Sequence, residues 1–122
     1  MIIDHSVGAK ATNSAPDVRL VQRLLNDHRG RHNEVLLLVD GIAGPKTIGA
    51  ISEYQQQNRM RLVDGLVNPS GPTIAHLVEA LFAGLSAGMV QIPSLPGFEP
   101  EPLKPTDLDK KTVESYLRKL RA

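Results

Sequence analysis

The residues of this chain most able to do chemistry sit together at Gly44-Pro45-Lys46-Thr47. Proline in a first helical turn gives up an N–H that needs no partner there. The N–H groups behind it, the positive end of the helix dipole, a lysine and a hydroxyl together make a seat for a carboxylate. A purely architectural role explains the same residues, with Asp40 and Gly41 forming a tight turn and Thr47 satisfying the helix start. The two roles are compatible. The phrase Val39-Asp40-Gly41-Ile42-Ala43-Gly44-Pro45-Lys46-Thr47-Ile48 then returns as Val63-Asp64-Gly65-Leu66-Val67-Asn68-Pro69-Ser70-Gly71-Pro72-Thr73-Ile74, with Asp64 lying 24 positions after Asp40 (64 − 40). This second form has Asn68 and Thr73 around a longer loop and no lysine, which marks it as the more structural of the two.

Other chemistries find less support. His28 and His32 are four apart, the spacing that puts two zinc ligands on one helical face, but Gly30 falls between them at an expected helix end and no Glu follows His28. A solvated basic loop accounts for them, and no metal or cofactor is expected. Arg29 and Arg31 extend the basic cluster, yet it lacks interleaved aromatics and is offset by Asp27 and Glu34, so nucleic acid is not an expected partner. No nucleophile has a neighbouring base and no carboxylate pair can be placed on a cleft, so catalytic residues are not expected. Tyr54 offers a ring that can stack on a sugar, or pack in the core, and its O–H needs a partner in either case.

The elements that must hold these residues are short. Ser14, Pro16 and Asp17 read as a capped helix start, followed by Val18, Val21, Leu24, Leu25 and His28 on one face, with Gly30 as the stop. The apolar run 35–39 is too short for a helix and reads as a buried extended segment leading into the first Asp-Gly turn. A second helix from Gly44-Pro45 to about Arg59 presents Ile48, Ile51, Tyr54 and Gln55; a third from about Pro72 presents Ile74, Leu77, Val78 and Leu81. Five prolines between positions 93 and 105 predict an extended spacer, after which Thr106 and Asp109 can cap a last amphipathic helix with Val113, Tyr116, Leu117 and Leu120. The expected fold is all-α: a compact three-helix bundle with an internal repeat, then a Pro-rich linker and a C-terminal helix. The expected divisions are an arm over 1–13, the helical domain over 14–84, the linker over 85–105 and the last helix over 106–122. That last helix is assigned a partner or docking role slightly ahead of folding back on the domain.

Composition sets limits on this picture. A chain of 122 residues with 41% hydrophobic and only 3% aromatic residues must build an aliphatic core, and a unit near 70 residues is close to the lower size for independent folding. A formal net charge of +1 leaves any electrostatics local. Without cysteine there is neither a disulfide framework nor a thiolate nucleophile. No stretch is apolar enough to span a bilayer, so no membrane partner is expected, and the N-terminal residues lack the pattern of a signal peptide.

The repeat, together with Asp17-Val18, Val21-Gln22, Leu24-Leu25-Asn26, Ala50-Ile51, Tyr54-Gln55 and Thr73-Ile74-Ala75-His76-Leu77, resembles the small helical peptidoglycan-binding domain attached to bacterial and phage cell-wall hydrolases, over about residues 14–82. The chain departs from that pattern in its long basic stretch 27–34 and in lacking Trp. The resemblance implies a noncatalytic module that anchors an associated enzyme or complex to peptidoglycan, through its glycan strand or stem peptide. The ligand-contacting residues are then expected among Asp40, Gly41, Gly44, Lys46, Thr47, Tyr54, Arg59 and Asn68. The alternative is a protein–protein adaptor using the bundle and the C-terminal helix, with no carbohydrate ligand. A cell-wall role without a signal peptide implies cytoplasmic synthesis and delivery by a phage lysis or specialised secretion system.

Overall fold

The structure, a computed structural model, describes residues 2–86, 110–119 and 121. The described residues are mainly helical. In chain order they form β1 (Val7–Gly8), α1 (Ala15–Arg31), α2 (Pro45–Gln57), β2 (Leu66–Val67), α3 (Pro72–Ser86) and α4 (Lys110–Lys119). The two short strands pair antiparallel, Val7 opposite Val67 and Gly8 opposite Leu66. A Cβ on Gly8 would run into the Gly65 carbonyl oxygen, so this crossing of the N-terminal segment over the second turn depends on glycine.

The helix starts follow their prolines, while two of the helix ends use a signal the sequence hides. Helix α1 runs through Gly30 to Arg31 and closes one turn later on Asn33, whose φ is 55°. There the Glu34 N–H reaches the Arg29 carbonyl at 2.8 Å and the Asn33 N–H reaches Gly30 at 3.3 Å. Helix α2 closes in the same way on Arg59, φ 53°, with the Met60 N–H on the Gln55 carbonyl at 2.9 Å and the Arg59 N–H on Gln56 at 3.1 Å. Both are Schellman endings with a non-glycine residue in the left-handed position. The start of α1 also differs from expectation. Ser14 is the N-cap residue but makes no side-chain cap, and the Asp17 carboxylate instead accepts the backbone N–H groups of Asp4 and His5 at 3.2 and 3.0 Å.

Among the described residues the buried core is aliphatic apart from Tyr54, and helices α1, α2 and α3 supply most of it: Val18, Val21, Leu24, Leu25, Ile51, Ile74, Leu77 and Leu81 are all buried. Both ends of the chain join them. Ile3 and Val7, in the segment the sequence sets apart as an arm, are fully buried, because pairing with β2 turns one face of that segment onto the helices. Leu117 of α4 is fully buried too, with Tyr116 packed beside it. The docking role given to the C-terminal helix finds no support in these contacts. Leu117 and Tyr116 close on this domain, and Arg121 beyond the helix pairs with Asp17 and Asp4 at 2.9 Å each and accepts the Arg19 side chain on its carbonyl at 3.1 Å. Arg121 and Arg118 hold the Asp4 carboxyl below the usual carboxylate range. Leu85 and Ser86 belong to α3 rather than to a linker. The Pro-rich stretch, the caps at Thr106 and Asp109, and the side chains of Val113 and Leu120 lie outside the described residues.

The two Asp-Gly turns are held from within by two buried glutamines. Gln22 of α1 donates to Asp40 Oδ1, the Ile42 carbonyl and Thr47 Oγ1 at 3.0, 3.1 and 3.1 Å, and accepts the Gly41 N–H at 3.1 Å. Gln55 of α2 does the same one unit later. It donates to Asp64 Oδ1, the Leu66 carbonyl and Thr73 Oγ1 at 3.1, 3.2 and 3.0 Å, and accepts the N–H groups of Asp64 and Gly65 at 3.1 and 3.0 Å. Each turn is completed by its own aspartate, which accepts the N–H two residues on at 2.9 Å for Ile42 and 3.0 Å for Leu66. Gly41 and Gly65 have φ of 76° and 67°, the backbone that such turns require.

Replacing Gln55 by Ala leaves buried donors and acceptors of the second turn unpaired, so Gln55→Ala is expected to destabilise the protein by roughly 2–4 kcal/mol in urea unfolding. Leu117→Ala tests the docking of α4 in the same experiment. The expected loss is about 2–4 kcal/mol if that side chain sits in the core, against less than about 0.5 kcal/mol for a helix held off the domain.

Candidate functional site

A groove of about 910 Å³ runs between the loop after α1 and the N-terminal half of α2. One wall is the apolar run 35–38. The expectation of a buried segment fails here, because Val35, Leu36 and Leu38 are 82%, 50% and 77% exposed. The physical reason is a single amide clamp: Asn26 of α1 donates to the Leu37 carbonyl at 2.9 Å and accepts its N–H at 2.7 Å. This fixes the strand-like segment by its backbone with only Leu37 turned onto the core, and the neighbouring side chains project outward. Ile42, 66% exposed, continues the same wall. These residues form one continuous aliphatic surface rather than scattered exposed side chains.

The other wall is α2. Lys46 and Glu53 line it at either end and Gly49 lies between them. No side chain caps the start of α2, and its first turn carries no acidic residue, so Lys46 stands there without a local carboxylate from its own helix. At the far end Arg29 is shared by two carboxylates, with Glu34 at 3.5 Å and Glu53 at 3.8 Å, and Gln57 donates to the same pair at 3.3 and 3.1 Å.

The residues singled out from sequence fall into three groups. Asp40, Gly44, Lys46 and Thr47 line the groove. Of these Thr47 is buried with its hydroxyl on Gln22, and the Asp40 carboxyl is held below its ordinary range by the Ile42 N–H and the Gln22 amide. Gly41 lies buried below them with its N–H on Gln22. Tyr54 is elsewhere: it is 2% exposed, its hydroxyl bonds His76 Nδ1, and burial pushes its pKa up. Arg59 and Asn68 do not join it in a common surface, since Arg59 occupies the α2 ending and Asn68 accepts the Ser6 hydroxyl at 2.7 Å. The aliphatic wall, Gly49 and Glu53 were not picked out from sequence, and Arg29 was picked out only as part of the basic cluster. The signal available for them was the mid-helix glycine, which helical periodicity alone gives no reason for.

His28 and His32 stack with ring centroids 4.2 Å apart, and His28 also meets the edge of Tyr54. They do not gather further ligands: among the described residues no three His, Asp or Glu side chains are placed to hold a metal ion. His28 Nε2 donates to Gln57 at 3.1 Å, and burial lowers its pKa.

This arrangement defines a small helical domain with an open, largely aliphatic groove. Residues 14–70 match the family model for the peptidoglycan binding domain. No curated protein and no solved structure matches the chain. Among the described residues no helix is long and apolar enough to cross a membrane.

The lowered pKa of His28 gives a sign-definite test. A histidine that is harder to protonate folded than unfolded contributes stability above its unfolded pKa of about 6.5, and that contribution is lost as pH falls through this value toward the folded one. The melting temperature is expected to drop between pH 7.5 and 5.5, and His28→Gln is expected to flatten that dependence.

Proposed function

We propose that the domain is a noncatalytic module that holds peptidoglycan in the groove between the 33–44 segment and α2 and so anchors an associated enzyme or complex on the cell wall. The observation carrying this reading is the exposed aliphatic wall of Val35, Leu36, Leu38 and Ile42 facing Lys46 across one groove, inside the stretch that matches a peptidoglycan-binding family. The first turn supplies that groove, while the second, with its glutamine, aspartate and threonine equally engaged, serves the architecture. We take the two Gln–Asp–Thr units as copies of one design, of which the first kept or acquired an open surface. The place of action in this reading is the cell wall, reached by a phage lysis system or a specialised secretion machine. An adaptor working through the C-terminal helix has less support, since Leu117 and Tyr116 of α4 pack on the core.

Cosedimentation with purified peptidoglycan sacculi tests the proposal. Leu38→Asp combined with Lys46→Ala removes one apolar and one charged contact from the groove while leaving both glutamine clamps intact, and is expected to weaken binding at least about tenfold. Wild-type retention by this variant, shown to be folded, places the ligand on another surface.

A further inference from the structure

We infer that the groove reads the peptide arm of the polymer rather than its sugar strand, with the peptide backbone lying against α2 at Gly49. This rests on the proposed peptidoglycan-binding function and specifies which part of the ligand the site takes.

Three observations carry it. The first is Gly49 itself. It is exposed in the middle of α2, its φ lies outside the left-handed range, and a Cβ built on it meets nothing within 4 Å. Glycine weakens a helix interior relative to alanine, so neither backbone conformation nor packing accounts for this residue. The space it leaves open faces the groove. Absence of a side chain at such a place lets another backbone approach closely.

The second is the charge pattern around it. Lys46 and Glu53 are seven residues apart on α2, two turns along one face and about 10.5 Å in axial rise, with Gly49 between them. Three extended peptide residues span about 10 Å, so a short peptide lying along this strip can offer a carboxylate to Lys46 and an ammonium to Glu53. The Glu53 end has room for a cation: two carboxylates, Glu34 and Glu53, share the single guanidinium of Arg29, and Glu53 remains 48% exposed. A stem peptide combines free carboxylates, small aliphatic side chains and, in many walls, one side-chain amine.

The third is the lack of a stacking surface. Sugar rings are held most effectively by flat aromatic faces, yet no described residue lining the groove is aromatic and Tyr54 is closed inside the core. The opposite wall of Leu36 and Leu38 suits alanine-sized side chains instead.

The experiment compares three probes with the whole chain: intact sacculi, sacculi stripped of stem peptides by an amidase, and a synthetic stem peptide carrying its free side-chain amine, the last by calorimetry. Binding to sacculi and to the soluble peptide, with loss on the stripped glycan, is the expected pattern. Gly49→Ala is expected to raise the melting temperature by about 2–6 °C while weakening the peptide at least about fivefold, a combination that a helix residue of purely structural role does not give. Acetylating the peptide amine is expected to cost the wild type about tenfold and to cost Glu53→Gln almost nothing. Retention of the stripped glycan with no binding of the peptide overturns this inference and leaves the proposed function standing. No binding to intact sacculi overturns both. Unchanged peptide affinity in a stabilised Gly49→Ala protein removes the backbone seat.

Discussion

Two buried glutamine side chains decide what the rest of this structure can be. A primary amide is the smallest side chain that both donates and accepts in one plane, and each of these two uses that property on a turn, a carbonyl and a helix start at once. Buried amides are costly unless fully satisfied, so Gln22 and Gln55 tie the geometry of Asp40-Gly41 to Thr47 and of Asp64-Gly65 to Thr73. Helix α1 is thereby locked to the entry of α2, and α2 to the entry of α3. With Tyr54 the one fully buried aromatic among the described residues, these polar joints give the helices a defined angle that aliphatic packing alone leaves loose.

The joints also separate what is structural from what is available. Once Thr47, Gly41 and the Asp40 carboxyl are occupied by the turn, the chemistry left facing solvent is the lysine next to them and the aliphatic loop held up by Asn26. A clamp on the backbone of Leu37 presents its neighbours outward at no cost in core packing. The exposed surface is thus a product of the folding device, and the second unit, with no comparable loop, has Leu62 and Val63 as its exposed apolar residues.

Much of this was legible in the residues. The internal phrase located both turns, the prolines located three helix starts, and the helical spacing of Ile74, Leu77 and Leu81 located α3 and its buried face. Local signals sufficed there because the determining interactions are local. What escaped were decisions made by distant partners. Nothing next to Gln22 or Gln55 announces an amide bonded across 18 to 25 positions, and a run of five apolar residues does not reveal that one asparagine will turn most of them to solvent. Asn33 and Arg59 end helices in a conformation usually given to glycine, so Gly30 drew attention to the wrong residue. The C-terminal helix carried an apolar stripe that fits a partner or its own domain equally well, and only the contacts of Leu117 and Arg121 choose between them.

The ion pair of the Asp4 carboxylate with the Arg121 guanidinium, 2.9 Å between side-chain atoms, joins opposite ends of the described chain. The polypeptide therefore enters and leaves this domain at one spot. Anything joined before Asp4 or after Arg121 hangs from that same spot, so the domain behaves as a pendant on a single tether instead of a bead threaded in line. A module with that layout can also be spliced into a surface loop of a larger protein without forcing the loop's two ends apart.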